Sequence, residues 1–338
     1  MAPPVPRGCA ALLHRMASNN RRTRRRRLAA LGAVGSVALI AGFAAGAGDD
    51  PDSPRRGGAP VLGSGAPLEE RLEAAAEAVD EVARRERGEL GVALAPVGEG
   101  RVHTGGELLQ GRAWSAIKVP LVAAFLKFRA EEEDVDAGVG VLSMRDRKRI
   151  ERALTRSNNE AASDLYGVMV RAEGNESARS RVQAALRTAG DRGTVVATRY
   201  GTTTWRLADA LGYFRALSRG CALPAPDTLL VLSYMSRVVR SHRWGVPAAA
   251  GVGTPVAFKG GWGPGDDLRW LVEQIAIVGH GDSAYVVALM AHTPVRAPSL
   301  ADPRSYNAAR RLLRRGADAV QAVVGPPDSG PGAPAARC

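Results

Sequence analysis

Strand-forming segments stand at both ends of the folded part of this sequence, and helical segments lie between them. At the front, ELGVALAP at residues 89–96 and RVHT at residues 101–104 have the apolar and β-branched composition of strands. At the back, residues 255–259, 270–278 and 284–291 are β-rich runs separated by Gly-rich turns. The order predicts one α+β domain: an antiparallel sheet built from N- and C-terminal strands, packed against helices, with an all-helical middle subdomain.

Helices are predicted where apolar residues recur at helical spacing. The predicted helices cover residues 68–87, 112–128, 143–156, 159–171, 177–188, 204–217, 227–240 and 303–324.

The net charge of +12 is concentrated at the N-terminus. Residues 1–48 carry eight arginines and no acid, whereas the remaining 290 residues carry 38 basic and 34 acidic groups. No basic stripe with interleaved aromatic residues is present, so the sequence argues against a nucleic-acid partner.

The arginine block RRTRRRR, residues 21–27, precedes an uncharged apolar segment at residues 28–48. A basic cluster beside about 20 apolar residues is typical of an export signal or a single-span anchor. Cleavage after residues 45–47 would release the protein, the uncleaved segment would tether it to the membrane, and the paired arginines also allow a twin-arginine signal. An exported protein is expected, extracellular or anchored facing the cell exterior. Residues 49–67 are predicted to be a linker, 68–325 a single domain, and 326–338 a disordered tail.

The cysteines and histidines show no metal-ligand spacing. They are Cys9, Cys221, Cys338, His14, His103, His242, His280 and His292. A Cys221–Cys338 disulfide is left open, and no cofactor is expected.

The segment RAWSAIKVPLVAAFLKF, beginning at Arg112, places a lysine in an otherwise apolar helical pattern. The chain has four lysines and 42 arginines, so a lysine at 118 is notable. Lysine can lose its proton on burial and arginine effectively cannot. Ser115 and Lys118, three residues apart, would share one helix face, where the amine could activate the hydroxyl as a nucleophile. A serine cap followed by a solvated lysine is the alternative explanation.

Two further stretches follow in order. Ser157-Asn158-Asn159 joins two predicted helices, where a helix cap is the simpler explanation. Lys259-Gly260-Gly261 ends a predicted strand, where a turn is the simpler explanation. Taken together, the three stretches resemble the S-x-x-K, S-x-N and K-[ST]-G motifs of the serine β-lactamase and penicillin-binding protein superfamily. The class A β-lactamase-like branch is the most similar, and the resemblance covers about residues 68–325.

The resemblance implies a role for each motif residue. Ser115 would be the acylated nucleophile and Lys118 its base. Ser157 would pass a proton to the leaving nitrogen, Asn159 would bind the side-chain amide of the substrate, and Lys259 would attract the substrate carboxylate.

The resemblance also implies an oxyanion site made by the backbone N–H groups of Ser115 and Trp262. The strand around Gly261 would pair with the substrate backbone, which a missing side chain permits.

The sequence departs from the family pattern at two places. Gly260 stands where a serine or threonine hydroxyl would help to bind a carboxylate; Arg243 could compensate, although a solvated surface arginine is the alternative. Class A enzymes also carry a glutamate, with an asparagine nearby, on a loop between the second and third motifs, and this glutamate activates the deacylating water. Here residues 177–272 contain no glutamate, and Asp191, the acid on the short loop, is explained better as a turn residue.

The resulting hypothesis is an exported serine hydrolase that forms an acyl-enzyme with β-lactams or D-Ala-type peptides and deacylates slowly. The alternative is a non-catalytic, membrane-tethered penicillin-binding or cell-wall sensor module. The expected partners are a β-lactam or peptidoglycan-peptide substrate and, through residues 28–48, the membrane; a monomer is expected.

Overall fold

A five-stranded antiparallel sheet organises the molecule, in the order β2-β1-β7-β6-β5. The structure, a computed structural model, describes residues 66–265, 268–296 and 303–326. The sheet strands are β1 (Glu89–Pro96), β2 (His103–Gly106), β5 (Val256–Pro264), β6 (Arg269–Val278) and β7 (Tyr285–Arg296), and a two-stranded ribbon pairs β3 (Gln110–Arg112) with β4 (Thr204–Arg206). The N- and C-terminal strands therefore share one sheet, as predicted, and the α+β fold class is confirmed.

Nine α-helices occur in the described part of the chain. They are α1 (Leu68–Arg85), α2 (Lys118–Glu132), α3 (Met144–Thr155), α4 (Asn159–Glu173), α5 (Asn175–Thr188), α6 (Leu207–Ser218), α7 (Ala225–Ser236), α8 (Val246–Ala249) and α9 (Arg304–Val324).

Both faces of the inner strands β1 and β7 are buried along most of their length, which matches their long runs of apolar residues. Alternate residues of β6 face opposite sides: Ile275 and Ile277 join the core shared with the middle helices, whereas Val272 and Ala276 join the core beneath α1 and α9. The first core contains eight residues of α2, and every residue from Lys118 to Leu126 is buried, so the N-terminal part of this helix is buried on every side.

Some predicted helices have different limits because tertiary contacts override local preference. The segment predicted as a helix from residue 204 begins as β4, where Trp205 is buried and Gly111 pairs opposite it. The helix predicted to reach residue 240 ends at Ser236. Beyond it, the Val239 N–H donates to the Thr155 carbonyl at 3.0 Å, which fixes the chain against α3.

Several predictions fall on residues that the structure does not describe. The leader at residues 1–48, the linker up to residue 65, the tail from residue 327, and the residues Cys9 and Cys338 all lie outside the described ranges. Cys221 is disulfide-bonded. In the described ranges no helix combines the length and apolar character needed to cross a bilayer. The membrane segment predicted at residues 28–48 lies outside them and stays a prediction.

Candidate active site

Ser115 lies in the turn that leads into α2, and Lys118 is the first residue of the helix. The prediction that one helix contains both residues is therefore wrong by one turn. The turn is closed by the Lys118 N–H, which donates to the Ser115 carbonyl at 3.2 Å, and by the Ala116 N–H, which donates to the Ala113 carbonyl at 2.8 Å. Trp114, next to Ser115, has a φ of 41° in the left-handed region, a strained backbone of the kind that clusters at functional sites.

Lys118 is buried and donates two hydrogen bonds. Its side chain is 2% exposed, and its Nζ donates to the Ser157 carbonyl at 2.7 Å and to Asn159 Oδ1 at 2.6 Å. Burial lowers the pKa of this amine from 10.5 to about 8. A neutral amine has two N–H groups and one lone pair, so these two acceptors leave the lone pair free to take a proton.

The corner between α3 and α4 connects the two motif lysines. Asn158 is the cap predicted for this corner, since its Oδ1 accepts from the Ala161 N–H at 2.7 Å. Ser157 has a φ of 52°, and it does not cap the helix. Its carbonyl accepts from Lys118 and its hydroxyl accepts from Lys259 Nζ at 2.9 Å, so Ser157 bridges the two amines.

Lys259 lies on β5 and is as buried as Lys118, at 2% exposure. Its Nζ also donates to the Gly260 carbonyl at 2.7 Å and lies 6.0 Å from the centre of the Trp262 ring. Burial lowers its pKa well below the usual 10.5; repulsion from Lys118 lowers it further, whereas attraction to Glu273 raises it. The structure thus gathers Lys118, Ser157, Asn159 and Lys259 into one hydrogen-bonded cluster, with Ser115 one turn from Lys118.

The Ser115 hydroxyl has no hydrogen-bond partner among the side chains and backbone groups that the structure describes, and the same holds for its N–H. Both groups are therefore available to a substrate. The roles assigned to the N–H groups of Ser115 and Trp262 as oxyanion donors stay predictions.

The two glycines after Lys259 differ in the space around them. A Cβ on Gly261 would lie 2.5 Å from Glu273 Oε1 and 2.7 Å from the Ala113 carbonyl oxygen. A Cβ on Gly260 would meet nothing closer than the Glu273 carbonyl oxygen at 3.4 Å. The backbone of β5 therefore requires glycine at 261, whereas at 260 there is room for a Cβ.

We expect Gly261→Ala to destabilise the fold by about 1–3 kcal/mol, because the overpacked Cβ forces β5 away from Ala113 or from β6. The matched control, Gly260→Ala, should unfold at the wild-type urea concentration. Urea denaturation of the two variants checks this difference, and equal midpoints would show that the close contact at Gly261 is unimportant.

Arg243 and Asp191 are both committed to other contacts. The Arg243 guanidinium lies 5.6 Å from the Phe258 ring and donates to the Ser236 carbonyl at 3.2 Å. Asp191 is buried, and its two carboxylate oxygens accept from the Thr194 N–H and the Trp205 indole N–H. Asp191 is thus a structural turn residue, as its sequence context indicated, and is poorly suited to activate water.

Two residues near the cluster were missed by sequence reasoning. His242 packs on Trp262 with 4.9 Å between ring centres, and burial together with the positive charge of Lys259 lowers its pKa. Glu273 lies on β6 directly opposite Gly261. The available signal was the pair Glu273-Gln274 in the middle of the otherwise apolar strand LVEQIAIV.

Solved structures place this architecture in a known class. The chain has the fold of the class A β-lactamases and of PBP-A, so the predicted resemblance is confirmed at the level of the fold. PBP-A is 20% identical over 74% of this chain and 97% of its own length, with a TM-score of 0.55.

Two β-lactamase structures match over a similar extent. One, from Streptosporangium roseum, is 16% identical over 74% of this chain and 98% of its own, with a TM-score of 0.56. The other, from Xanthomonas campestris pv. campestris, is 19% identical over 76% and 99%, with a TM-score of 0.58. No protein-family model and no curated protein matches the sequence.

Proposed function

We propose that this chain is an exported serine hydrolase that forms a covalent acyl-enzyme through Ser115 with β-lactams or with peptides ending in D-alanine. The observation that carries the proposal is the buried Lys118 amine. It is held one turn from the Ser115 hydroxyl and has a pKa of about 8. A buried lysine with such a pKa is suited to general-base work near neutral pH, and the fold is one that β-lactamases share.

The proposed reaction assigns one step to each of these groups. Ser115 Oγ attacks the carbonyl carbon of the scissile amide as its proton passes to Lys118 Nζ. The tetrahedral intermediate collapses, the C–N bond breaks, and the departing nitrogen takes a proton from the Ser157 hydroxyl. The proton that Lys118 took from Ser115 then returns to Ser157, so both recover their starting state. Lys259 Nζ, 2.9 Å from the Ser157 hydroxyl, stays protonated, and an ester on Ser115 remains.

Recognition of the substrate carboxylate is assigned to Lys259, and recognition of an amide side chain to Asn159. Trp262 and Gly261 would border the reacting carbonyl. Among the structural neighbours, a PBP-A mutant has been solved as an acyl-enzyme complex with penicillin G, so this fold can support the proposed step in another protein.

We expect the penicillin adduct to persist for far longer than it takes to form. Hydrolysis of the ester needs an activated water, and no glutamate occurs between residues 177 and 272. Asp191, the acid predicted on this segment, is buried, and each of its carboxylate oxygens already accepts a hydrogen bond from the protein. Incubation with penicillin G followed by intact-mass spectrometry over time would show one adduct per chain that decays slowly.

Rapid loss of the adduct with steady hydrolysis of a chromogenic cephalosporin would contradict slow deacylation and establish an efficient β-lactamase. The absence of an adduct with penicillin G and with the cephalosporin would favour the alternative, a non-catalytic, membrane-tethered penicillin-binding or cell-wall sensor module. That alternative draws on Gly260, where the hydroxyl of the third motif is missing.

A further inference from the structure

The centre of β6 carries a glutamate that the proposed chemistry does not use. Glu273 is 1% exposed, and neither of its carboxylate oxygens has a hydrogen-bond partner in the described ranges. An unpartnered buried carboxyl group is costly and uncommon in folded proteins, so its presence needs a physical reason.

The position of Glu273 relates it to the Ser115 site. Glu273 pairs with Gly261 across β5 and β6, and its Oε1 occupies the space that a Cβ on Gly261 would fill, beside the Ala113 carbonyl. Residues two apart on a strand share a face, as do residues paired across strands. Glu273 therefore faces the same side of the sheet as Lys259, and it lies on β6, the strand next to β5.

The charged groups around this point are mostly basic. Lys259 faces Glu273 from β5, and Lys118 acts on Lys259 from α2. His242 lies near Lys259, beside Trp262, while β7 presents the uncharged Met290 opposite Glu273. Attraction to Glu273 opposes the loss of the Lys259 proton that burial and Lys118 favour. Burial raises the pKa of Glu273 itself well above its usual value, and the charge of Lys259 lowers it, so each group of this pair favours the charged form of the other.

We propose that Glu273 is a positioning residue of this site: from behind Gly261, its carboxylate balances the charge of Lys259 and keeps that amine protonated for a substrate carboxylate. The inference rests on the proposed function for its meaning. It also accounts for Gly260, because a site without the motif hydroxyl depends more heavily on the charge of Lys259 to hold a carboxylate.

The scarcity of lysine permits a direct test on the full-length protein. With lysine labelled by ¹³C at the ε carbon, four signals are expected, and the one missing from Lys259→Arg belongs to Lys259. In Glu273→Gln, which keeps the shape and removes the charge, the titration midpoint of Lys259 should fall by about one pH unit or more. Glu89→Gln, which removes an exposed acid from β1 of the same sheet, should leave the midpoint unchanged.

A midpoint for Lys259 that is the same in wild type and Glu273→Gln would overturn the proposal. Glu273→Asp is a second test, because it keeps the negative charge and moves it away by the length of one methylene. The titration midpoint of Lys259 in Glu273→Asp should lie between those of the wild type and Glu273→Gln. If Glu273→Gln does not fold, an unchanged midpoint in Glu273→Asp overturns the proposal instead.

The titration needs no substrate, so it is independent of the penicillin experiment. If penicillin labels the wild type, the alkaline fall of its acylation rate should move to lower pH in Glu273→Gln by the same shift as the midpoint. A purely structural role for Glu273 would lower the rate equally at every pH. If the Lys259 midpoint shifts in Glu273→Gln but penicillin never labels the wild type, the proposed acyl-enzyme is wrong and the electrostatic coupling between Glu273 and Lys259 is still supported.

Discussion

Ser115→Ala is expected to abolish covalent labelling by penicillin G, with a loss of acylation on the order of 10⁶-fold, as found when a serine enzyme loses its nucleophile. Ser115 lies in a strained turn, and its hydroxyl has no partner among the described residues. Removing one oxygen from it should leave packing and stability unchanged. Intact-mass spectrometry after incubation measures the labelled fraction directly.

The matched control is Ser180→Ala, an exposed serine on α5, which should be labelled at the wild-type rate. Undiminished labelling of Ser115→Ala would show that another group reacts, and the assignment of the nucleophile would then be wrong. Peptide mapping of the wild-type adduct to the segment containing Ser115 is the complementary observation.

Lys118→Met is expected to slow acylation by about 10²–10⁴-fold, the usual contribution of a general base. In the wild type, the acylation rate should rise with pH through about 8, because Lys118 takes the Ser115 proton only after losing its own. The pH dependence of adduct formation measures this limb. Lys118→Arg should also fail, since arginine keeps its charge throughout this range.

Lys118→Met should be more stable than the wild type near neutral pH. The pKa of Lys118 is about 8 in the folded chain against 10.5 when solvated, so the unfolded chain binds more protons in that window and stability rises with pH across it. Below the window, keeping the ammonium buried costs about 3 kcal/mol. Lys118→Met removes this cost, but it also removes the two hydrogen bonds of the amine, which offsets part of the gain. The net increase in the free energy of unfolding should be about 1–2 kcal/mol, as measured by urea denaturation.

Lys148→Met, on the exposed side of α3, is the control for both measurements and should change neither acylation nor stability appreciably. A Lys118→Met protein that acylates at the wild-type rate would remove Lys118 from the mechanism. An unchanged rate between pH values on either side of about 8 would lead to the same conclusion.

The sheet could be predicted from the sequence because strand signals are local: apolar β-rich runs at both ends leave few arrangements in a mixed domain. The three motif segments were predictable for a different reason, their order along the chain. Their convergence on one hydrogen-bonded cluster depends on how α2, the α3–α4 corner and β5 pack, which no segment encodes alone.

The details that the sequence did not yield depend on long-range contacts. The backbone of Ser115 is set by a turn whose Ala113 N–H donates to Thr203, 90 positions away, so helical periodicity placed it one turn too far inside α2. Glu273 has no spacing relation to any motif; only the register between β5 and β6 brings it behind Gly261. His242 likewise approaches the site through Trp262.

Strand β5 ends the strand order, so one row of its amide groups faces no neighbouring strand within the described residues. An extended guest peptide could dock there by β-augmentation, as a sixth strand. Because Gly260, Gly261 and Gly263 have no side chains, main-chain hydrogen bonds would bind such a peptide there, with little dependence on the side chains of the peptide. Specificity among peptides would then depend on the α3–α4 corner, on the other side of the site. Changes in that loop would alter specificity and leave the main-chain hydrogen bonds to β5 intact.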